Sequence, residues 1–110
     1  MAQGDRTPKK FGQTALNTTP VTVVTGESGR RKELLKIFIA NTSSSTRKVT
    51  LYAYGTAAAN TLVQQLQLDP FASTLLTDTG IVLLSGETFS AKQDAGTDVT
   101  ITVLGIEEEL

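Results

Sequence analysis

The sequence predicts an all-β fold: a single antiparallel β-sandwich of jelly-roll type with an extended N-terminal arm. Three observations lead there. Short segments rich in β-branched residues recur along the chain. Turn-forming clusters of Gly, Pro, Asn, Asp and Ser separate them every 8–12 residues or so, the spacing of sandwiches and barrels. No stretch carries the sustained 3.6-residue apolar repeat of a long amphipathic helix. With 110 residues the chain has the size of one domain, and one core suffices for about seven such strands.

Residues 1–11 are polar and basic, contain Gly4 and Pro8, and show no periodic pattern, so they read as a flexible arm. The sandwich domain then spans 12–107, and 108–110 form an acidic tail. An arm of this kind is separable, and its removal is expected to leave the fold intact. Val21 to Thr25 follow Pro20 as a strand, which Gly26, Glu27, Ser28 and Gly29 end as a turn. Over residues 32–40, alternation puts Leu35, Ile37 and Ile39 on one face and Leu34, Lys36, Phe38 and Ala40 on the other. A polar turn from Asn41 to Thr46 leads into Val49, Leu51 and Ala53, opposite Thr50, Tyr52 and Tyr54, and the two strands are expected to form a hairpin.

Residues 56–68 stay open between a short helix capped by Thr56, with Leu62 and Leu66 four apart, and an extended segment. Asp69 and Pro70 break the pattern, and Asp78, Thr79 and Gly80 are expected to turn the chain. Ile81 to Leu84 is a continuous apolar run expected to be buried on both sides. After the Ser85-Gly86-Glu87 turn, Phe89 and Ala91 alternate with polar residues, and the turn from Asp94 to Asp98 closes a second expected hairpin. Its return strand puts Val99, Ile101 and Val103 inward and threonines outward.

Composition narrows function. The chain has no His and no Cys, which removes disulfides, thiolate metal sites and the usual nucleophile and base pairs. Glu27, Glu33, Asp69, Asp78, Glu87, Asp94 and Asp98 offer carboxylates, but no spacing selects a glycosidase-like pair. The turn from Asp94 to Asp98 has two carboxylates of a calcium loop and lacks the other ligands, while Glu107, Glu108 and Glu109 read as a solvated tail. The protein is therefore expected to be non-enzymatic and to need no cofactor. No apolar run approaches the roughly 20 residues that cross a bilayer, so no membrane partner is expected.

Charge is unevenly placed. Residues 1–48 hold nine cations against three acids, a net +6, and residues 49–110 hold one against eight, a net −7. Arg6, Lys9 and Lys10, with Arg30, Arg31, Lys32, Arg47 and Lys48, could form a basic patch, but the interleaved aromatics of single-strand binders are missing and nucleic acid is not an expected partner. Strands from both halves interleaving in one sheet pair would blur the asymmetry. Tyr52, Tyr54 and a few Phe are the only stacking platforms for a carbohydrate-binding module.

Gly80-Ile81-Val82-Leu83-Leu84-Ser85-Gly86-Glu87, then an alternating strand and Val99-Thr100-Ile101-Thr102-Val103-Leu104-Gly105-Ile106-Glu107, resemble small β-sandwich structural proteins of tailed bacteriophages. Lys36-Ile37-Phe38-Ile39-Ala40-Asn41-Thr42 followed by Val49-Thr50-Leu51-Tyr52 is similar as well. Residues 11–31 depart from that pattern, with Gly26-Glu27-Ser28-Gly29 where such proteins carry a Pro-Ala-Gly turn. The resemblance implies a virion protein, foremost a capsid decoration or cement protein that clamps the major capsid protein lattice as a homo-oligomer, a trimer matching three-fold positions. A tail, neck or baseplate component is the alternative it leaves open. On a particle, Arg6, Lys9, Lys10 and Phe11 of the arm would contact a neighbouring subunit, the cations pairing with acids and Phe11 acting as anchor.

Overall fold

The alternation of Val99, Ile101 and Val103 sets the plan of the core, because all three are fully buried and the threonines between them are not. The computed structural model describes residues 4–110, the side chain of Asp78 excepted. Eight strands follow in order: β1 (Arg6–Ala15), β2 (Val21–Thr25), β3 (Arg30–Asn41), β4 (Arg47–Ala53), β5 (Thr61–Leu68), β6 (Ser73–Leu83), β7 (Thr88–Gln93) and β8 (Val99–Glu109), with a 3-10 turn at Ala58–Asn60 before β5. One sheet has the order β1-β8-β3-β6 and the other β2-β7-β4-β5. Every ladder is antiparallel, and the pairs β1/β8, β2/β7, β3/β6 and β4/β5 nest within one another. This is a jelly roll: the chain behaves as one long folded-back ribbon wrapped into two layers.

Between the layers lie Leu34, Ile37, Ile39, Val49, Leu51, Leu83, Phe89, Ile101 and Val103, each at most 1% exposed. Ile37, Ile39, Leu51, Ile101 and Val103 thus occupy the inward positions that alternation assigns them. The core is aliphatic around a single buried Phe89.

Several local expectations are corrected by this topology. Neither expected hairpin exists: β3 has β6 and β8 as its hydrogen-bonded neighbours, so β4 joins the other sheet, and β7 and β8 likewise part company after the 94–98 turn. Alternation tells which face of a strand is dry, not which strand lies beside it. Asn41 organises the first of these crossings. Buried at the end of β3, its Nδ2 donates to the carbonyls of Ser45, Leu68 and Asp69 at 2.8, 3.3 and 3.1 Å, and its Oδ1 accepts from the Ser43 N–H and hydroxyl.

Residues 56–68 form the 3-10 turn and strand β5. Asp78 to Gly80 do not reverse the chain. Pairing of β3 with β6 jumps from Leu34 opposite Ile81 to Lys36 opposite Thr77, so this segment is a bulge within β6, with Gly80 at φ +68° where a side chain would be strained. The same irregularity turns Leu34, not Leu35, to the core. Ile81 to Leu84 are not buried on both sides: Ile81 and Leu83 point in, and Leu84 is exposed.

The expected domain limits also move. Arg6 to Ala15 form β1, hydrogen-bonded along β8 from Glu108 to Thr100, so the arm and domain boundary at 11 and 12 falls inside a strand. Glu108 and Glu109 belong to β8 and are not a tail. Residues 1–3 of the expected arm lie outside the described residues. The reason is pairing: backbone bonds to β8 order a segment whose side chains are too polar to dock by burial.

Candidate functional site

The uneven charge resolves at one end of the first sheet. β8 lies between β1 and β3, which brings its acidic end between two basic strands. Glu107 points inward, and its buried carboxylate accepts from Lys9 Nζ at 2.5 Å and Arg30 at 2.9 Å. These partners hold its carboxyl below the usual range, the Lys9 hydrogen bond contributing most and burial opposing. Gly105 leaves room above the same surface: a Cβ there would stand 2.6 Å from Phe11 and 2.0 Å from the Glu33 carbonyl. Phe11 fills that space, and the Lys32 ammonium lies 5.6 Å from its ring centroid while bonding the Thr25 carbonyl and Glu27. On the opposite face of the sheet Arg31 pairs with Glu108 at 3.3 Å and Arg6 with Glu33 at 3.4 Å.

The four residues expected to bind a partner therefore separate. Lys9 and Phe11 serve the interior, and Arg6 is engaged by Glu33. Lys10 alone points outward with no ion pair among the described residues, because alternation along β1 sets it opposite Leu104 on the solvent face. There it belongs to a surface that reading the arm by itself does not reveal. Leu104 is flanked by Lys10 on β1 and Lys36 on β3, both exposed. Beside this row Pro8, Leu35, Leu104 and Ile106 line a shallow apolar depression of about 270 Å³. On the other side Phe38 and Leu75, opposite each other on β3 and β6, are 40% and 45% exposed. The signal was present in β8, whose outward series changes from Thr100 and Thr102 to Leu104 and Ile106.

The remaining candidates are accounted for by contacts within the fold. Asp98 accepts two bonds from the Arg47 guanidinium, at 2.9 and 3.0 Å, and one from buried Gln93 at 2.9 Å, while Asp94 accepts from the Lys48 N–H. The turn with calcium-like carboxylates is thus stapled by a guanidinium. Among the described residues no three His, Cys, Asp or Glu side chains converge as a metal site. Tyr52 is buried, and Tyr54, though half exposed, donates its hydroxyl to the Val82 carbonyl at 2.9 Å.

Arg47, and after it Gln93, hold the Asp98 carboxyl at about 2, against an ordinary 3.8. A carboxyl with a lowered folded pKa contributes stability that is complete above the unfolded value and is lost as pH falls through the folded one. Acid titration of the wild type should therefore show a loss of stability between about pH 4 and pH 2 to which Asp98 contributes. In Asp98→Asn that component should be missing and stability at neutral pH lower, as measured by urea denaturation across the acid range. An unchanged acid profile in the variant would refute the role given to Arg47.

No protein-family model matches the chain, and no curated protein matches it.

Proposed function

We propose that this chain is a non-enzymatic structural protein of a bacteriophage particle, a capsid decoration protein that docks on the head lattice through the solvent face of its β1-β8-β3-β6 sheet. The observation that carries the docking face is the row Lys10, Leu104, Lys36 set beside the apolar depression of Pro8, Leu35 and Ile106. Solvent faces of sheets are ordinarily polar, and an apolar strip rimmed by unpaired cations fits a partner surface that offers apolar side chains bordered by carboxylates. The particle assignment draws on the sequence resemblance and on the jelly roll, a fold that viral capsid and lectin domains share. Repeated copies on a symmetric lattice turn a modest patch into firm attachment, because each engaged site raises the effective concentration at the next.

The experiment is co-sedimentation with undecorated heads assembled from the major capsid protein of the same genome. Lys10→Glu with Lys36→Glu should keep the melting temperature and lose binding, and wild-type binding should weaken with salt as screening of exposed charges requires. Wild-type binding by the double variant would contradict the docking face; no binding by wild-type protein would contradict the particle assignment.

A further inference from the structure

The second feature that the fold alone does not require is an exposed aromatic on a rigid turn. Phe71 stands in the four-residue link between β5 and β6 and is 71% exposed, the most exposed of the large apolar side chains among the described residues. Its backbone has φ +58°, a conformation a bulky side chain rarely adopts. The link is nevertheless fixed. Its Phe71 N–H donates to the Ser43 carbonyl at 3.1 Å, the Ala72 N–H to Asp69 at 3.0 Å, the Asn41 N–H to Ala72 at 2.9 Å, and the Asn41 side chain grips Leu68 and Asp69 from behind. Strain kept in place by surrounding bonds is a mark of functional positions. A rigid aromatic held in water also enters a contact with little ordering cost, the property of an interface anchor.

The same flank of the sandwich holds a receptor for it. β5 and β6 are the edge strands of their sheets, and the mouth between them opens into an apolar crevice of about 270 Å³. Ile37 and Leu51 form its floor, Leu62 and Val63 one wall, Leu76 and Ile81 the other. Thr79 also lines it, with its hydroxyl committed to the Leu34 carbonyl. An apolar cavity of roughly 150 Å³ is enough to bind a benzene ring, so a phenyl group fits here. Strand addition along the edge is a less suitable use of this flank. Pairing of β5 with β4 is interrupted by register shifts, and Gln65 sits at φ +51°, which bends the edge away from a straight ladder.

We infer that the chain assembles with itself head to tail, Phe71 of one copy seating in the β5/β6 crevice of the next. The two surfaces are different parts of one molecule, so copies linked head to tail make a heterologous contact, which closes into a ring when the rotation from copy to copy closes. Phe71 lies exposed and so does not fill its own crevice. The inference does not depend on what the assembly binds.

Sedimentation velocity over a concentration series tests it with wild type, Phe71→Gly, Leu62→Asp and an equimolar mixture of the two variants. Both substitutions are at exposed sites, and glycine relaxes the left-handed backbone, so Phe71→Gly should melt no lower than the isolated wild-type monomer. Wild type should sediment as a closed oligomer and each variant alone as a monomer. The mixture should form heterodimers, since Phe71→Gly keeps an intact crevice and Leu62→Asp an intact Phe71. A wild-type monomer at every concentration, assembly by Phe71→Gly, or no dimer in the mixture would overturn it. A monomeric chain that still coats heads removes this contact and leaves the docking face standing; an oligomer that ignores heads does the reverse.

Discussion

Ile101→Ala is expected to destabilise the domain by about 2–5 kcal/mol, the range for deleting a buried branched aliphatic side chain and leaving a cavity. Ile101 is fully buried in β8, the strand that holds β1 on one side and β3 on the other, with Thr14 and Ile39 as its cross-strand partners. Both neighbours are fixed in ladders, so the site has little freedom to collapse around the missing atoms. Thr100→Ala and Thr102→Ala, on the solvent face of the same strand, should each change stability by no more than roughly 0.5 kcal/mol. Urea denaturation of the three variants checks the register of β8 directly. A threonine change more damaging than the isoleucine change would place the strand one residue out.

Deleting residues 1–10 should lower stability by on the order of 3 kcal/mol, the size of effect seen when a buried charge loses a partner. The truncation removes the ladder from Arg6 to Lys10 against Glu108 to Leu104 and takes Lys9 from the buried Glu107 carboxylate. Arg30 remains, and Lys9 is itself about two-fifths exposed, which keeps the loss toward the lower end of that class. For a domain of this size the melting temperature should fall by roughly 10 °C or more. Lys9→Met separates the two contributions, since it keeps the ladder and removes only the cation. Truncated protein that melts with the wild type would show that this half of β1 adds nothing and would restore a separable arm.

What the sequence made legible was the direction of side chains. Val99, Ile101, Val103, Ile37, Ile39 and Leu51 could be placed inward by alternation alone, because a period of two is a local property. Strand neighbours were not legible. The hairpins expected around Asn41 to Thr46 and Asp94 to Asp98 fail because a five-residue link can either reverse a strand within its sheet or carry it to the opposite one, and only the nesting of all eight strands decides which. Asp78-Thr79-Gly80 reads in the sequence as a reversal and is instead a bulge within β6, since a bulge and a turn ask for the same residues.

The candidate site was half legible for a similar reason. Arg6, Lys9, Lys10 and Phe11 look alike as a basic stretch ending in an aromatic, yet once they lie in a strand alternation sends Lys9 and Phe11 inward and leaves Lys10 on the solvent face. Lys36, Leu35, Leu104 and Ile106 join Lys10 only through the β1-β8-β3 order, across more than ninety positions of sequence. The charge asymmetry between the two halves is likewise an intramolecular matter: Arg30 and Lys9 meet Glu107, Arg31 meets Glu108, and Arg47 meets Asp98.

The proposed role on a phage head can be checked by locating the chain in purified particles, with low-dose imaging of the head and quantification against the major capsid protein. Density is expected on the outer head surface at a fixed ratio to the lattice subunits, with the β1-β8-β3-β6 face turned to the capsid. Copies confined to the tail or neck, or a particle that lacks the chain, would contradict it.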